Sequence, residues 1–134
     1  MINREIYDAA LSILAEEQEE LCDDYQQRAP YILATFFCEC REVNAFYRTA
    51  HRQALPDEDD PSSLPGLDEE FPLSERFFTA GVFYMAAMLV EMENDQLCDR
   101  LFSRYADAIS RITREGSVAQ STTVRDVYGF HHCD

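Results

Sequence analysis

The sequence predicts an all-α protein: a bundle of about four helices, with a long acidic loop between helices two and three and an extended C-terminal tail. Three observations favour this fold class. Apolar residues recur at steps of three and four along four separate segments, the spacing of one helix face. A single long proline-rich segment interrupts them, and the chain has only four glycines. At 134 residues it fits one domain with a sizeable core.

The first helix is predicted from Ile2 to about Leu21. Its apolar stripe consists of Ile6, Ala10, Ile13 or Leu14, and Leu21. Several glutamates near its end oppose the helix macrodipole, so we expect fraying or an early stop there.

The second helix is predicted from Pro30 to Gln53. Proline is tolerated in the first turn of a helix, and it disfavours the helical conformation of the preceding residue, here Ala29. The stripe that defines this helix is Ile32, Phe36, Cys40, Val43, Phe46 or Tyr47, and Ala50.

The segment from Leu55 to Glu70 is predicted to be a loop, because it holds three of the five prolines, one glycine and seven acids. The third helix then begins near Ser74, a residue type that commonly caps helix N-termini.

The third helix contains the most apolar run of the chain, Ala80 to Val90, in which the Tyr84 hydroxyl is the one polar side-chain group. A bilayer needs about 20 such residues, so we expect burial among protein helices and no membrane span. Phe83 and Val90 lie away from the two main apolar stripes. Either another helix of the same chain or a neighbouring subunit covers them, and we list both residues among the expected subunit-interface residues.

The fourth helix is predicted from Gln96 to Glu115 and is expected to end at Gly116, a common C-cap residue. Opposite its apolar face, charged residues recur at steps of four and three: Arg100, Arg104, Asp107, Arg111 and Arg114. One interpretation is a solvated stripe with local pairing to Asp107. The other is a surface that meets acidic residues of a neighbouring subunit.

We assign residues 1–116 to the helical bundle domain and residues 117–134 to a flexible C-terminal arm. The arm is either a disordered tail or a segment that orders by adding a strand to a partner. In the second case one side of the extended chain would bind the partner through Val124, Asp126, Tyr128 and Phe130.

The charge balance argues against nucleic-acid and membrane-surface binding. The chain has 26 acids and 11 basic residues, all of them arginine, which gives a net charge of −15. A surface of that sign repels phosphate, so we expect neither tight nucleic-acid binding nor a membrane partner.

The residues offer little chemistry for catalysis. No phosphate-binding loop, nucleophile elbow or zinc motif occurs, so we expect no enzyme activity, no cofactor and no metal. The five cysteines, in a chain that begins without a secretory signal, are expected to stay reduced in a cytoplasm. Cys38 and Cys40 point to different sides of a helix, which discourages a shared metal ion. The terminal His131-His132-Cys133-Asp134 is expected to be a frayed end.

One resemblance to a known family is visible in the order of these segments. Tyr25-Gln-Gln-Arg-Ala-Pro-Tyr-Ile-Leu is followed by the acidic loop, then by Leu67-Asp-Glu-Glu-Phe-Pro-Leu-Ser-Glu-Arg-Phe and Tyr84-Met-Ala-Ala-Met-Leu-Val-Glu, and finally by Leu101-Phe-Ser-Arg-Tyr. Over about residues 2–115 this pattern resembles the helical head–tail connector (adaptor) proteins of tailed phages and prophages.

The resemblance implies a virion structural protein that forms a ring under the portal. Its partners would be the portal protein and the neck or tail-completion proteins, and it would be found in the bacterial cytoplasm during assembly and then in the virion neck. The subunit would be a monomer or a homo-oligomer in isolation. Arg100, Arg104, Arg111, Arg114, Phe83 and Val90 are the predicted interface residues. The alternative hypothesis is a small acidic DNA mimic or protein–protein interaction module.

Overall fold

Four α-helices and one short 3₁₀ turn make up the part of the chain that the computed structural model describes, residues 1–17, 21–55 and 64–128. The helices are α1 (Asn3–Glu17), α2 (Tyr25–Ala50), α3 (Phe78–Val90) and α4 (Asp95–Tyr128), with the 3₁₀ turn at Glu75–Phe77. The prediction of an all-α bundle of about four helices is confirmed. Within the described ranges, extended pairing is limited to the isolated bridge between Ile2 and Glu70.

Helix α1 begins at Asn3 because the segment before α3 accepts its first free amide groups. The Asn3 amide donates to the Glu69 carbonyl at 2.9 Å, and the Arg4 amide donates to the Leu67 carbonyl at 2.7 Å. These bonds satisfy donors that have no partner inside a helix. The helix ends at Glu17, before the predicted Leu21, which agrees with the expected early stop at its acidic end.

Helix α2 begins at Tyr25, earlier than predicted, and contains Pro30 in its interior. The expectation that Pro30 forces Ala29 out of the helix is wrong. A proline inside a helix costs about 3 kcal/mol, and burying one large apolar side chain recovers about 1.5–3 kcal/mol. Tyr25 and Ala29 are both fully buried, so core packing offsets the cost of the proline.

The first turn of α2 is also tied to the end of α3. The Arg28 guanidinium donates to two carbonyl oxygens in the last turn of α3, at 2.9 and 3.2 Å. Beside it, the Tyr25 hydroxyl and the Cys22 thiol both donate to the Glu93 carboxylate in the turn after α3. The contact between α2 and α3 therefore begins several residues before Pro30.

Helix α3 is the centre of the bundle and packs against α1, α2 and α4. Nine of its 13 residues are buried. Gly81 allows two neighbours to approach closely: a Cβ atom there would lie 2.9 Å from Ile6 Cδ1 and 3.0 Å from Phe36 Cε2. Val90 is 0% exposed within its own chain. The prediction that Val90 faces a neighbouring subunit is therefore wrong, because the chain itself covers it.

Helix α4 does not end at Gly116 but continues to Tyr128, so the predicted C-cap is wrong. Gly116 is buried against α2, where a Cβ atom would lie 2.6 Å from Phe46 Cε1. The glycine therefore allows two helices to approach closely and does not end the helix. For residues 117–128 the predicted extended tail is replaced by helix, and residues 129–134 lie outside the described part.

Candidate subunit-interaction surface

The predicted arginines form one exposed surface on α4, called here the arginine surface: Arg100, Arg104, Arg111 and Arg114. All four side chains are exposed. Between positions 100 and 114 the chain carries these four arginines and one acid, Asp107. In a protein of net charge −15, this half of α4 is a local concentration of positive charge.

Two of the four arginines already contact their own chain. Arg100 forms an ion pair with Glu17 at the end of α1, at 3.4 Å. The Arg104 guanidinium carbon lies 5.8 Å from the centroid of the half-buried Phe83 ring, within the range of a cation–π contact. Phe83, which was predicted to face a neighbouring subunit, is therefore partly covered by Arg104.

The other two arginines, Arg111 and Arg114, line an open groove of about 600 Å³ between the end of α2 and α4. The remaining lining residues are His51, Glu115, Val118 and Ala119. Among the described residues, Arg111 and Arg114 form no ion pair. The structure thus divides the arginine surface into an engaged half and an available half.

The carboxylate that lines the groove is occupied by another arginine. Arg76, in the turn before α3, donates to both oxygens of Glu115, at 2.7 and 2.8 Å. These hydrogen bonds hold the pKa of Glu115 below its usual value. Because Glu115 is held in this way, it does not neutralise Arg111 or Arg114 by direct pairing.

The opposite wall of the groove is the end of α2. His51 stacks on Tyr47, with ring centroids 4.1 Å apart, and its Nδ1 lies 2.9 Å from the Tyr47 carbonyl oxygen. The chain then turns through Arg52, which has a positive φ of 56°. The Arg48 guanidinium donates to the Ala54 carbonyl at 3.0 Å and fixes this turn. Hydrogen bonds therefore hold this wall of the groove in place at His51 and in the turn that follows it.

A second charged surface, called here the acidic surface, lies on α1 and consists of Glu5, Asp8 and Glu16. All three side chains are exposed, whereas Ile6, Ala10 and Leu14 on the same helix are buried. Both α1 and α4 pack against α3. The two charged surfaces therefore lie on two different helices of the bundle, and the Arg100–Glu17 ion pair joins those helices at one end.

Two polar clusters connect helices of the bundle, and their cysteine thiols are poor nucleophiles. The Tyr105 hydroxyl donates to Glu39 at 3.1 Å and lies 3.6 Å from the Cys40 sulfur. Burial raises the pKa of the Cys40 thiol to about 11. Hydrogen bonding to Glu93 raises the pKa of the Cys22 thiol. At neutral pH neither sulfur is therefore in the thiolate form that reacts.

The cluster of Cys22, Tyr25 and Glu93 was missed by sequence reasoning. Its members are separated by as many as 71 residues along the chain, and no spacing rule relates them. Across residues 1–17, 21–55 and 64–128, no group of three or more His, Cys, Asp or Glu side chains is placed to hold a metal ion.

The predicted partner-binding arm lies partly in α4. Val124, Asp126 and Tyr128 are in helical backbone and not in an extended chain. Phe130 and the terminal His131–Asp134 lie outside the described residues. None of the helices in the described ranges is both long and apolar enough to cross a membrane.

Comparison with protein-family models, with curated proteins and with solved structures gave no match to the chain.

Proposed function

We propose that this chain is a non-catalytic structural subunit of a tailed-phage or prophage head–tail connector, which forms a ring beneath the portal. The observation that supports the proposal most directly is the placement of unlike charge on two different helices of one bundle. The acidic surface is on α1, and the arginine surface is on α4. Each copy therefore presents both halves of a complementary contact.

The charge pattern favours head-to-tail contacts over a two-fold dimer centred on either charged surface. In a two-fold contact centred on either surface, arginines would face arginines or acids would face acids, and like charges repel. In a head-to-tail contact the arginine surface of one copy meets the acidic surface of the next. Repetition of such a contact closes into a ring when the rotation between copies allows it.

A strongly negative subunit also suits a channel through which DNA passes. The net charge of −15 leaves no broad positive surface to hold phosphates. In the proposed ring, Arg111 and Arg114 pair with acids of the next copy. The wall that DNA meets then repels the phosphate backbone and does not retain it.

The partners proposed for the assembled ring are the portal protein and the neck or tail-completion proteins. The end of the chain, including Val124, Asp126, Tyr128 and Phe130, is proposed to contact the portal. Because α4 is helical to Tyr128, this contact would be made by a helix and not by strand addition.

Native mass spectrometry of the protein, alone and mixed with the portal protein of the same phage or prophage, tests the proposal. We expect a ring, or a monomer that joins one on the portal. Arg104→Glu with Arg111→Glu should weaken assembly without loss of helicity, whereas Arg41→Glu, at an exposed position of α2, should not. A stable monomer that ignores the portal and displaces DNA from a basic protein would instead support the DNA-mimic alternative.

A further inference from the structure

The exposed side of α1 carries a regular series of residues. Reading from the start of the chain, side chains at steps of three, three, four and four are exposed: Ile2 just before α1, and then Glu5, Asp8, Ser12 and Glu16 within it. Steps of three and four keep residues on one face of a helix. The series begins with an apolar residue, continues through two acids and a hydroxyl, and ends with an acid.

The exposed side of α4 carries a matching series in the opposite chain direction. Reading backwards from the groove, side chains at steps of four, three, four and three are exposed: Val118, Arg114, Arg111, Asp107 and Arg104. Val118 is 67% exposed and Ile2 is 37% exposed. Each series therefore starts with an exposed apolar side chain.

We propose that α1 of one copy packs antiparallel on α4 of the next copy, with these two series in register. This inference rests on the proposed ring and names the surfaces that form it. The pairs are Ile2 with Val118, Glu5 with Arg114, Asp8 with Arg111, Ser12 with Asp107, and Glu16 with Arg104.

The two series agree in length as well as in chemistry. Glu5 and Glu16 are separated by eleven residues, which is about 16 Å along a helix at 1.5 Å per residue. Arg114 and Arg104 are separated by ten residues, or about 15 Å. When the centres of the two charged series are aligned, the residues at their ends are therefore still close enough to pair.

The reverse orientation is less favourable. If α1 ran parallel to α4 with Glu5 opposite Arg104, then Asp8 would face Asp107. That pairing brings two carboxylates together and costs free energy. In the antiparallel register Asp107 faces the Ser12 hydroxyl, which can donate a hydrogen bond to it.

The groove beside α4 accommodates the apolar end of this contact. Its lining combines Val118 and Ala119 with the His51 ring and the Arg111 and Arg114 side chains. In the proposed register the Ile2 side chain lies on Val118 at this groove. Apolar burial there adds to the charge pairing along the rest of the helix.

A single contact of this kind is weak, because ion pairs at an exposed surface contribute little and are screened by salt. Ring closure raises the overall strength, since the last contact forms within one assembly. A test by covalent trapping therefore suits the contact better than an affinity measurement alone.

The sequence has no lysine, so an introduced lysine supplies the one side-chain amine, and peptide mapping separates its crosslinks from those of the α-amino group. A carbodiimide joins a carboxylate to a nearby amine, and the R114K variant introduces one side-chain amine into the arginine surface. In an equal mixture of unlabelled and ¹⁵N-labelled R114K protein, with the portal protein present and at low salt, we expect mixed-isotope crosslinks from position 114 to Glu5 or Asp8. R41K, which places the amine on the exposed side of α2, is the matched control.

The register is overturned if R114K gives no crosslink between copies, or if its amine joins other acids as often as the R41K amine does. The proposed function is judged separately by native mass spectrometry. Rings on the portal without the Glu5 or Asp8 crosslink would remove this register and leave the connector proposal in place. Failure to assemble at all would remove both.

A charge exchange provides a second test that does not depend on crosslinking. The side chains of Asp8 and Arg111 form no ion pair with one another or with other described residues. D8R alone and R111E alone should each reduce the assembled fraction at least about fivefold, and the double variant should restore it. A double variant that assembles no better than either single variant overturns the pairing, provided that circular dichroism shows equal helicity.

Discussion

At the scale of single residues, the Arg76–Glu115 ion pair is the best-formed charged contact of the described chain. It joins the turn before α3 to α4 through two short hydrogen bonds, at 2.7 and 2.8 Å. Its members are 36% and 43% exposed, so solvent screens much of their attraction. A pair of this kind contributes about 0.5–1 kcal/mol to the free energy of unfolding.

Glu115→Gln should therefore lower the free energy of unfolding at pH 7 by about 0.5–1 kcal/mol. The pKa of Glu115 is lowered in the folded chain, so this contribution is present above the unfolded-state pKa and is lost as pH falls through the folded-state pKa. At pH 3 the substitution should have a much smaller effect. Urea unfolding at both pH values measures the difference.

Glu42→Gln, an exposed position on α2, is the control for removal of one negative charge. Removal of an acid from a chain of net charge −15 reduces self-repulsion, so this control should be neutral or slightly stabilising at pH 7. Equal effects of the two substitutions at pH 7 would show that the ion pair contributes nothing measurable.

Gly116 is the residue on which the contact between α2 and α4 depends most directly. An alanine Cβ there would lie 2.6 Å from Phe46 Cε1. Forcing extra atoms into a packed contact costs about 1–3 kcal/mol, whereas alanine gains about 1 kcal/mol over glycine in a helix. Gly116→Ala should thus destabilise the chain by about 1 kcal/mol in urea unfolding. Ser117→Ala, one position further and exposed, should not destabilise it.

At the scale of elements, the length of α4 is the largest departure from the sequence prediction. Among the residues of α4 whose burial the structure describes, up to Gln120, the last buried apolar side chain is Ile112, and the helix continues to Tyr128. Val124→Pro should interrupt the helix locally, because proline removes an amide donor and clashes with the preceding turn. Far-UV circular dichroism should show a loss of helical signal with little change in melting temperature.

Val124→Ala is the control for this substitution, since alanine favours helix. It should keep or slightly increase the helical signal. If Val124→Pro left the spectrum unchanged, the segment would be extended in solution, as the alternation of its side chains first suggested. The strand-addition arm would then be the better description of residues 117–134.

The helices themselves could be predicted from the three-and-four spacing, but their ends could not. Pro30 and Gly116 are strong local signals, and both are overridden by tertiary contacts. The Tyr25 hydroxyl donates a hydrogen bond to Glu93, which is 68 positions away in the chain. Gly116 meets Phe46 on another helix. Local rules contain no information about such partners.

The arginine surface was also visible in the sequence, because its steps of four and three repeat over four turns. Its division into an engaged half and an available half was not visible in the sequence. Arg100 is engaged by Glu17, 83 residues away, and Glu115 is engaged by Arg76, 39 residues away. Only the packing of the helices shows that Arg111 and Arg114 line a groove, while Arg104 covers Phe83.

At the scale of the whole molecule, self-repulsion is the dominant electrostatic term. The net charge is −15, and the described residues contain three ion pairs. All three are at the surface, where each contributes at most about 1 kcal/mol. Added salt weakens both the repulsion and the pairs, so the sign of the salt effect shows which is larger.

We expect salt to stabilise the fold, because the unpaired acids greatly outnumber the paired ones. The screening length falls from about 30 Å at 0.01 M salt to about 8 Å at 0.15 M, which removes repulsion between acids on different helices. A gain of about 1 kcal/mol would raise the melting temperature by about 3–5 °C.

Sodium chloride and choline chloride should act equally, since screening depends on ionic strength and not on binding of a particular cation. A variant with Glu16→Gln and Asp23→Asn should gain less from salt, because it starts with less repulsion. A melting temperature that falls with salt would show instead that the ion pairs outweigh the repulsion.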